Sequence, residues 1–120
     1  MNSRQKGARG ERELAKILQQ YGYEARRGQQ YCGANGDADV VGLPGFHIEC
    51  KRVERLDIYA AMGQSENDAK LDELPIVVFR KNGKPWLVVL KLSAFISLIK
   101  QIGHKLDPRQ LFNTDKKITL

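Results

Sequence analysis

The sequence predicts an α/β domain in which a mixed β-sheet of about five strands is flanked by helices. Three observations carry that prediction. Apolar residues recur at helical spacing near both ends of the chain, and β-rich runs between them are punctuated by Pro44-Gly45 and Asn82-Gly83. The resulting order, α-β-β-β-α-β-β-α, is that of helices packed on a sheet. With 120 residues and 42% hydrophobic content, a single domain over 1–120 is expected, its core spanning about 3–103 and an extension covering 104–120. No repeat, low-complexity tract or linker divides it.

Ser3 to Tyr21 reads as a helix. Leu14, Leu18 and Tyr21 form one stripe, with Ile17 beside them, and Gly22 is a natural stop. Glu11 stands three residues before Leu14 and seven before Leu18, on the same stripe, whereas Glu13 does not. A buried carboxylate is costly unless paired or bound to a cation. Alternatively, Glu11 lies near an exposed first turn, where acids favour the helix dipole. Spacing alone leaves both open.

Tyr23 to Arg27 reads as a short strand, and Gly28 to Gly36, with three glycines, as a mobile loop. That loop lacks the Gly-Lys-Ser/Thr ending of a nucleotide-binding P-loop. Arg26, Arg27, Gln29, Gln30, Tyr31 and Asn35 are suited to a phosphate backbone, with Tyr31 able to stack on a base, although a solvated loop has the same composition.

The stretch from Gly36 to Val53 forms two apolar runs around a Pro-Gly turn. Strand alternation puts Glu49 and Lys51 on one face and Ile48 and Cys50 on the other, while Asp37 and Asp39 share a face of the preceding strand. Asp39 meets Glu49 only if the hairpin is centred near Pro44, which requires an odd connection or a bulge. Pro44-Gly45 suits the centre of a type II turn. Carboxylates gathered beside a lysine repel one another unless a cation joins them, so the hairpin reads as a divalent-metal site.

Beyond it, Asp57 is placed to cap a helix running to about Asp72, with Ile58, Met62 and Ala69 on one side, Ala61 and Ser65 widening the stripe, and Gln64 at its border. Pro75–Arg80 and Trp86–Lys91 form a second hairpin about residues 81–84. Ser93 is placed to cap a helix to Ile102, whose Phe95, Ile96, Ile99 and Ile102 face suits covering the sheet or a dimer interface. Asp107-Pro108 is suited to start one helical turn.

A net charge of +6 and a pI near 9.5 point to a polyanionic partner, nucleic acid being the commonest, although a basic surface also serves solubility. Neither an 18-residue apolar run nor a signal-peptide pattern is present, so a cytoplasmic protein without a membrane partner is expected. Two cysteines make no disulfide framework, and His47 and Cys50 face opposite ways on one strand, without the paired spacing of a zinc site. Cys50 reads as a small core hydrophobe.

An acidic metal site beside a basic surface suits hydrolysis of a phosphodiester. Glu11, Asp39, Glu49 and the Cys50 carbonyl are candidate ligands for one or two Mg²⁺ ions, with Mn²⁺ able to substitute, and Lys51 is placed to orient water or offset phosphorane charge. Asp39, nine residues and then Glu49-Cys50-Lys51 resembles the PD-(D/E)xK nuclease motif. The Gly-x-x-Gly-Glu-Arg-Glu-Leu segment from Gly7 to Leu14 resembles the opening helix of archaeal-type and phage Holliday junction resolvases. Covering roughly Gly7 to Leu90, the resemblance implies a restriction-endonuclease-like core and a metal-dependent DNA endonuclease in which Glu11, Asp39, Glu49 and Lys51 act at the metal. It prefers Asp39 over Asp37, which alternation treats alike. Ala38 stands where the family has proline, and the loop before Asp39 lacks the serine or threonine that resolvases often carry. Gln64 is similar to the glutamine of VRR-NUC and phage nucleases, which implies a catalytic role near water or phosphate.

The resemblance implies a homodimer making two cuts on branched DNA, with no small-molecule substrate. Candidate DNA contacts are Arg4, Lys6, Arg9, Arg12, Arg26, Arg27, Gln29, Tyr31, Arg52 and Arg55. Competing readings are a nicking, flap-directed or repair nuclease of the same fold, and a non-catalytic nucleic-acid-binding protein.

Overall fold

Two clusters of buried apolar side chains, one on each face of a five-stranded sheet, organise the first of two compact units, Met1–Leu90 and Lys91–Leu120. The computed structural model describes residues 3–29, 38–105, 107 and 109–110, without the side chains of Ser3, Arg4, Lys6 and His104. Tyr31, Asp37 and nearly all of the loop expected over Gly28–Gly36 lie outside the described residues, as does most of the extension over 104–120.

Helix α1 (Ser3–Gln20) is followed by strands β1 (Arg26–Arg27), β2 (Val40–Val41) and β3 (Phe46–Arg52), helix α2 (Ile58–Asp68), and strands β4 (Leu74–Arg80) and β5 (Leu87–Val89). The sheet runs β1-β2-β3-β4-β5, antiparallel throughout except for the parallel pair β3/β4, which α2 connects. This is the mixed sheet that the sequence predicts.

Leu14 and Ala15 of α1 pack on Ala25, Val40, Ile48, Cys50, Ile76 and Val78. Ala61 and Met62 of α2 pack with Val77, supported by Leu56, Phe79 and Val89. Alternation along β3 therefore sends Ile48 and Cys50 toward α1, and His47, Glu49 and Lys51 toward the other face. Ser65 rivets α2 to both central strands, because its hydroxyl lies 3.1 Å from the His47 carbonyl oxygen and 3.0 Å from that of Ile76.

Termini of the elements differ from the sequence reading in ways the backbone explains. α1 closes as expected near Gly22, which has φ 97°, with Tyr23 N–H on the Leu18 carbonyl and Gly22 N–H on that of Gln19, a Schellman closure. β1 is confined to Arg26–Arg27, the two residues that pair with Val41 and Val40. Asp57 caps α2 by accepting from Ala60 N–H at 3.1 Å, but the helix stops at Asp68, short of Asp72, because Ala69 is extended with ψ 142°.

In the second unit, α3 (Leu92–Ile102) begins before the expected cap. Its N-cap is Lys91, extended at ψ 146° and without a side-chain cap bond, so Ser93 lies inside the first turn. A 3₁₀ turn, Gly103–Lys105, follows. Asp107 accepts from Arg109 N–H at 3.0 Å through its side chain and from Gln110 N–H at 3.1 Å through its carbonyl, consistent with a turn starting there.

Candidate active site

Residues 39–51 are placed by a turn with one residue to spare. Phe46 N–H donates to the Leu43 carbonyl at 3.2 Å, and Gly45 has φ 83°, as a type II turn over Pro44-Gly45 requires. From this closure the β2 side takes three steps to Val40, whereas the β3 side takes two to its partner Ile48. The extra residue is a bulge, accommodated where Gly42 adopts φ 108°. A side chain at Gly42 would run into the Glu24 carbonyl oxygen and come within 2.6 Å of Ala25 Cα. The pairing of Val40 with Ile48 centres the hairpin on Pro44 and brings the Asp39 side chain against that of Glu49, the meeting the metal-site reading needs.

Asp39 is fixed by backbone at both ends. Its N–H donates to the Ile48 carbonyl at 3.1 Å, and its Oδ2 accepts from Cys50 N–H at 2.8 Å. Glu49 is 4% exposed. Burial first, then the neighbouring Asp39 charge, pushes its carboxyl up to about 7, against the opposing pull of Lys51. A hydrogen bond between the Asp39 and Glu49 carboxyls works in the same upward direction. Lys51 Nζ stands 3.5 Å from Glu49 Oε1. Two carboxyls and one ammonium are thus held together, and the repulsion between the carboxylates is what favours a proton on Glu49.

Glu11 reaches the same neighbourhood from α1. The helix starts at Ser3, so Glu11 is well inside it and the exposed-first-turn alternative does not hold. Its side chain is 14% exposed, and Arg27 Nε donates to its Oε1 at 3.0 Å. Burial raises its pKa, the Arg27 hydrogen bond opposes that, and the Asp39 charge raises it again. The structure therefore brings Asp39, Glu49 and Lys51 together, with Glu11 close enough to feel Asp39. The Cys50 thiol is buried on the opposite face and its pKa is pushed upward by burial and by the surrounding carboxylates, consistent with a core residue. Gln64 is exposed on α2.

Of the candidate DNA contacts, Arg9, Arg12, Arg26, Gln29 and Arg55 are exposed. Arg27 is engaged by Glu11, and Arg52, with a side chain 14% exposed, is turned toward Glu13 and Glu54. Sequence reasoning missed both pairings, because no periodicity links Arg27 to Glu11 or Arg52 to Glu13.

A family model described as phage putative PDDEXK endonuclease matches residues 2–118. The chain belongs to this PDDEXK endonuclease family. No curated protein and no solved structure matches it. Membership makes the protein a nuclease with DNA as its substrate, and PDDEXK nucleases generally use divalent metals. Among the described residues, no three of His, Cys, Asp and Glu are gathered closely enough to ligate one ion. The two that are gathered, Asp39 and Glu49, offer hard oxygen donors whose mutual repulsion a cation relieves, and Mg²⁺ is commonly held by only one or two carboxylates. The PDDEXK nuclease thus fits a hard divalent ion. Among its described residues, no helix is long and apolar enough to cross a membrane.

Proposed function

We propose that the protein is a metal-dependent DNA endonuclease selective for branched DNA, cutting four-way junctions as a homodimer. The observation that carries the nuclease chemistry is the buried Glu49 carboxyl held against the half-buried Asp39, with Lys51 beside it. Asp39, Glu49 and the Cys50 carbonyl would hold one Mg²⁺, or Mn²⁺ in its place, and Glu11, close enough on α1 to feel Asp39, would bind a second ion beside it. When bound, the ion lowers the pKa of an attacking water and offsets charge on the leaving oxygen.

The chain's own groups do the rest. The backbone bond from Cys50 fixes the Asp39 carboxylate before any ligand arrives. Lys51, partly exposed and close to Glu49, is placed to orient water and to stabilise charge developing on the phosphorane. Gln64 supplies an exposed amide for water or phosphate, and Arg9, Arg12, Arg26, Gln29 and Arg55 an exposed polar and basic surface for the backbone. Two symmetric cuts in a junction need two sites related by a two-fold axis, which is the basis for the dimer.

A substrate panel tests this reading. Purified protein with Mg²⁺ or Mn²⁺ should cut four-way junctions faster than flap, nicked or linear duplex DNA. Equal cutting of junction and linear duplex contradicts junction selectivity, while binding without cleavage of any substrate contradicts the enzyme reading.

A further inference from the structure

Arg52 and Arg80 are register partners on adjacent parallel strands, both on the α1 face of the sheet. Two guanidinium groups side by side repel each other, and here each carries a buried nitrogen with no hydrogen-bond acceptor among the described residues, Arg52 Nη1 and Arg80 Nε. The shared counter-charge is Glu13 of α1. Arg80 Nη1 lies 3.1 Å from Glu13 Oε1 and Arg52 Nε lies 3.7 Å from Glu13 Oε2. The Trp86 indole N–H also donates to Oε1, at 3.1 Å. One carboxylate thus ties α1 to β3, to β4 and to the residue just before β5.

The position of this clamp on the helix gives it a further role. With 3.6 residues per turn, Glu11 lies about 60° to one side of Leu14 around the helix axis, and Glu13 about 100° to the other. Leu14 is in the core, so the two acids face opposite flanks: Glu11 toward Arg27 and Asp39, Glu13 toward Arg80 and Trp86. An apolar stripe seats a helix on a sheet but resists rolling about the helix axis only weakly, since dispersion contacts are non-directional. Directional bonds on both flanks stop the roll. Between them, Gly10 meets β3 so closely that a Cβ there would stand 2.5 Å from Arg52 Cβ, so the turn that carries Glu11 has almost no clearance.

We propose that Glu13 is a positioning residue of the metal site: it locks the roll of α1 through Arg52, Arg80 and Trp86 and so holds Glu11 in place relative to Asp39 and Glu49. The inference rests on Glu11 being a metal ligand. It gives Arg52 an internal role in place of a phosphate contact, and explains two acids two residues apart as one for the ion and one for the helix.

The test is Mn²⁺ binding by the DNA-free protein, measured by calorimetry for wild type, Glu11→Gln, Glu13→Gln and the double variant, with the metal-free melting temperature of each. Glu13→Gln should weaken Mn²⁺ binding about tenfold, the low end of what losing a ligand's supporting partner costs. In the Glu11→Gln background it should add little, because its effect passes through Glu11. Trp86→Phe removes one bond of the clamp and should weaken binding in the same direction by less, which keeps the test available if Glu13→Gln does not fold. Wild-type Mn²⁺ affinity in Glu13→Gln and Trp86→Phe, with only the melting temperature lowered, overturns the inference. So does an equal loss with and without Glu11, which would mark a general field effect of the charge. If Glu11→Gln itself binds Mn²⁺ like wild type, the ligand assignment fails and takes the inference with it, an outcome distinct from the other two.

Discussion

A carboxyl held near pKa 7 in a folded protein makes stability depend on pH with a definite sign. Glu49 ordinarily titrates at 4.5, and burial together with Asp39 raises it to about 7. Below pH 4.5 the group is protonated in both folded and unfolded chains, and its contribution to stability is fully present. As pH climbs toward 7, the unfolded chain releases a proton that the folded chain keeps, so stability falls through that window. The melting temperature of the metal-free protein should therefore drop between about pH 5 and 8, and Glu49→Gln should flatten that drop. A wild-type profile as flat as that of Glu49→Gln would mean that the carboxyl is not perturbed. The residue types at this site were legible in the sequence because alternation and helical spacing alone bring Glu49 beside Lys51 and Glu11 onto a buried stripe. Arg27 and Glu13 were not legible in their roles, because their partners stand 16 and 73 residues away and only the tertiary fold joins them. The choice of Asp39 over Asp37 came from the family pattern. The structure describes how Asp39 is held and leaves Asp37 outside the described residues.

At the level of elements, the β2–β3 connection controls the site. A two-residue turn alone would pair the strands one position out and send Asp39 away from Glu49, because a shift by one residue exchanges the faces of a strand. The bulge near Gly42 corrects this. Gly42→Ala would have to keep a positive φ and push against Glu24 and Ala25, at a cost of about 1–3 kcal/mol. Gly45→Ala has a similar φ but an added Cβ meets nothing, so it should cost less. Denaturant midpoints and cleavage rates of the two variants check this, with Gly42→Ala expected to lose both more stability and more activity. Gly45→Ala matching it in both would remove the bulge from the account. The turn was readable from Pro44-Gly45, and the need for an odd count or a bulge followed from strand alternation. The position of the extra residue was not readable, because it depends on the backbone of residues 24 and 25 passing underneath. The shortness of β1 and the early end of α2 likewise depend on which backbone groups find partners in the sheet.

For the molecule as a whole, the order of helices and strands was legible because each segment's periodicity agrees with its place in the fold, from Leu14 in α1 to the apolar run Ile76–Val78 in β4, which is buried from both faces. A net charge of +6 indicated the class of partner. Neither property reports the shape of the DNA, which in the proposed dimer depends on how two copies present their sites, and no pattern within one chain encodes that distance. The family places the chain among nucleases and leaves the use of this site to be measured. The most direct measurement is the single-turnover cleavage rate of wild type, Asp39→Asn and Glu49→Gln, with Mg²⁺, on the best-cut DNA of the substrate panel. Both variants should bind that DNA but cut it more slowly by at least about 100-fold, the scale on which loss of a preorganised electrostatic group slows catalysis. Wild-type cleavage by either variant would contradict the assignment of the Asp39–Glu49 pair as the catalytic centre.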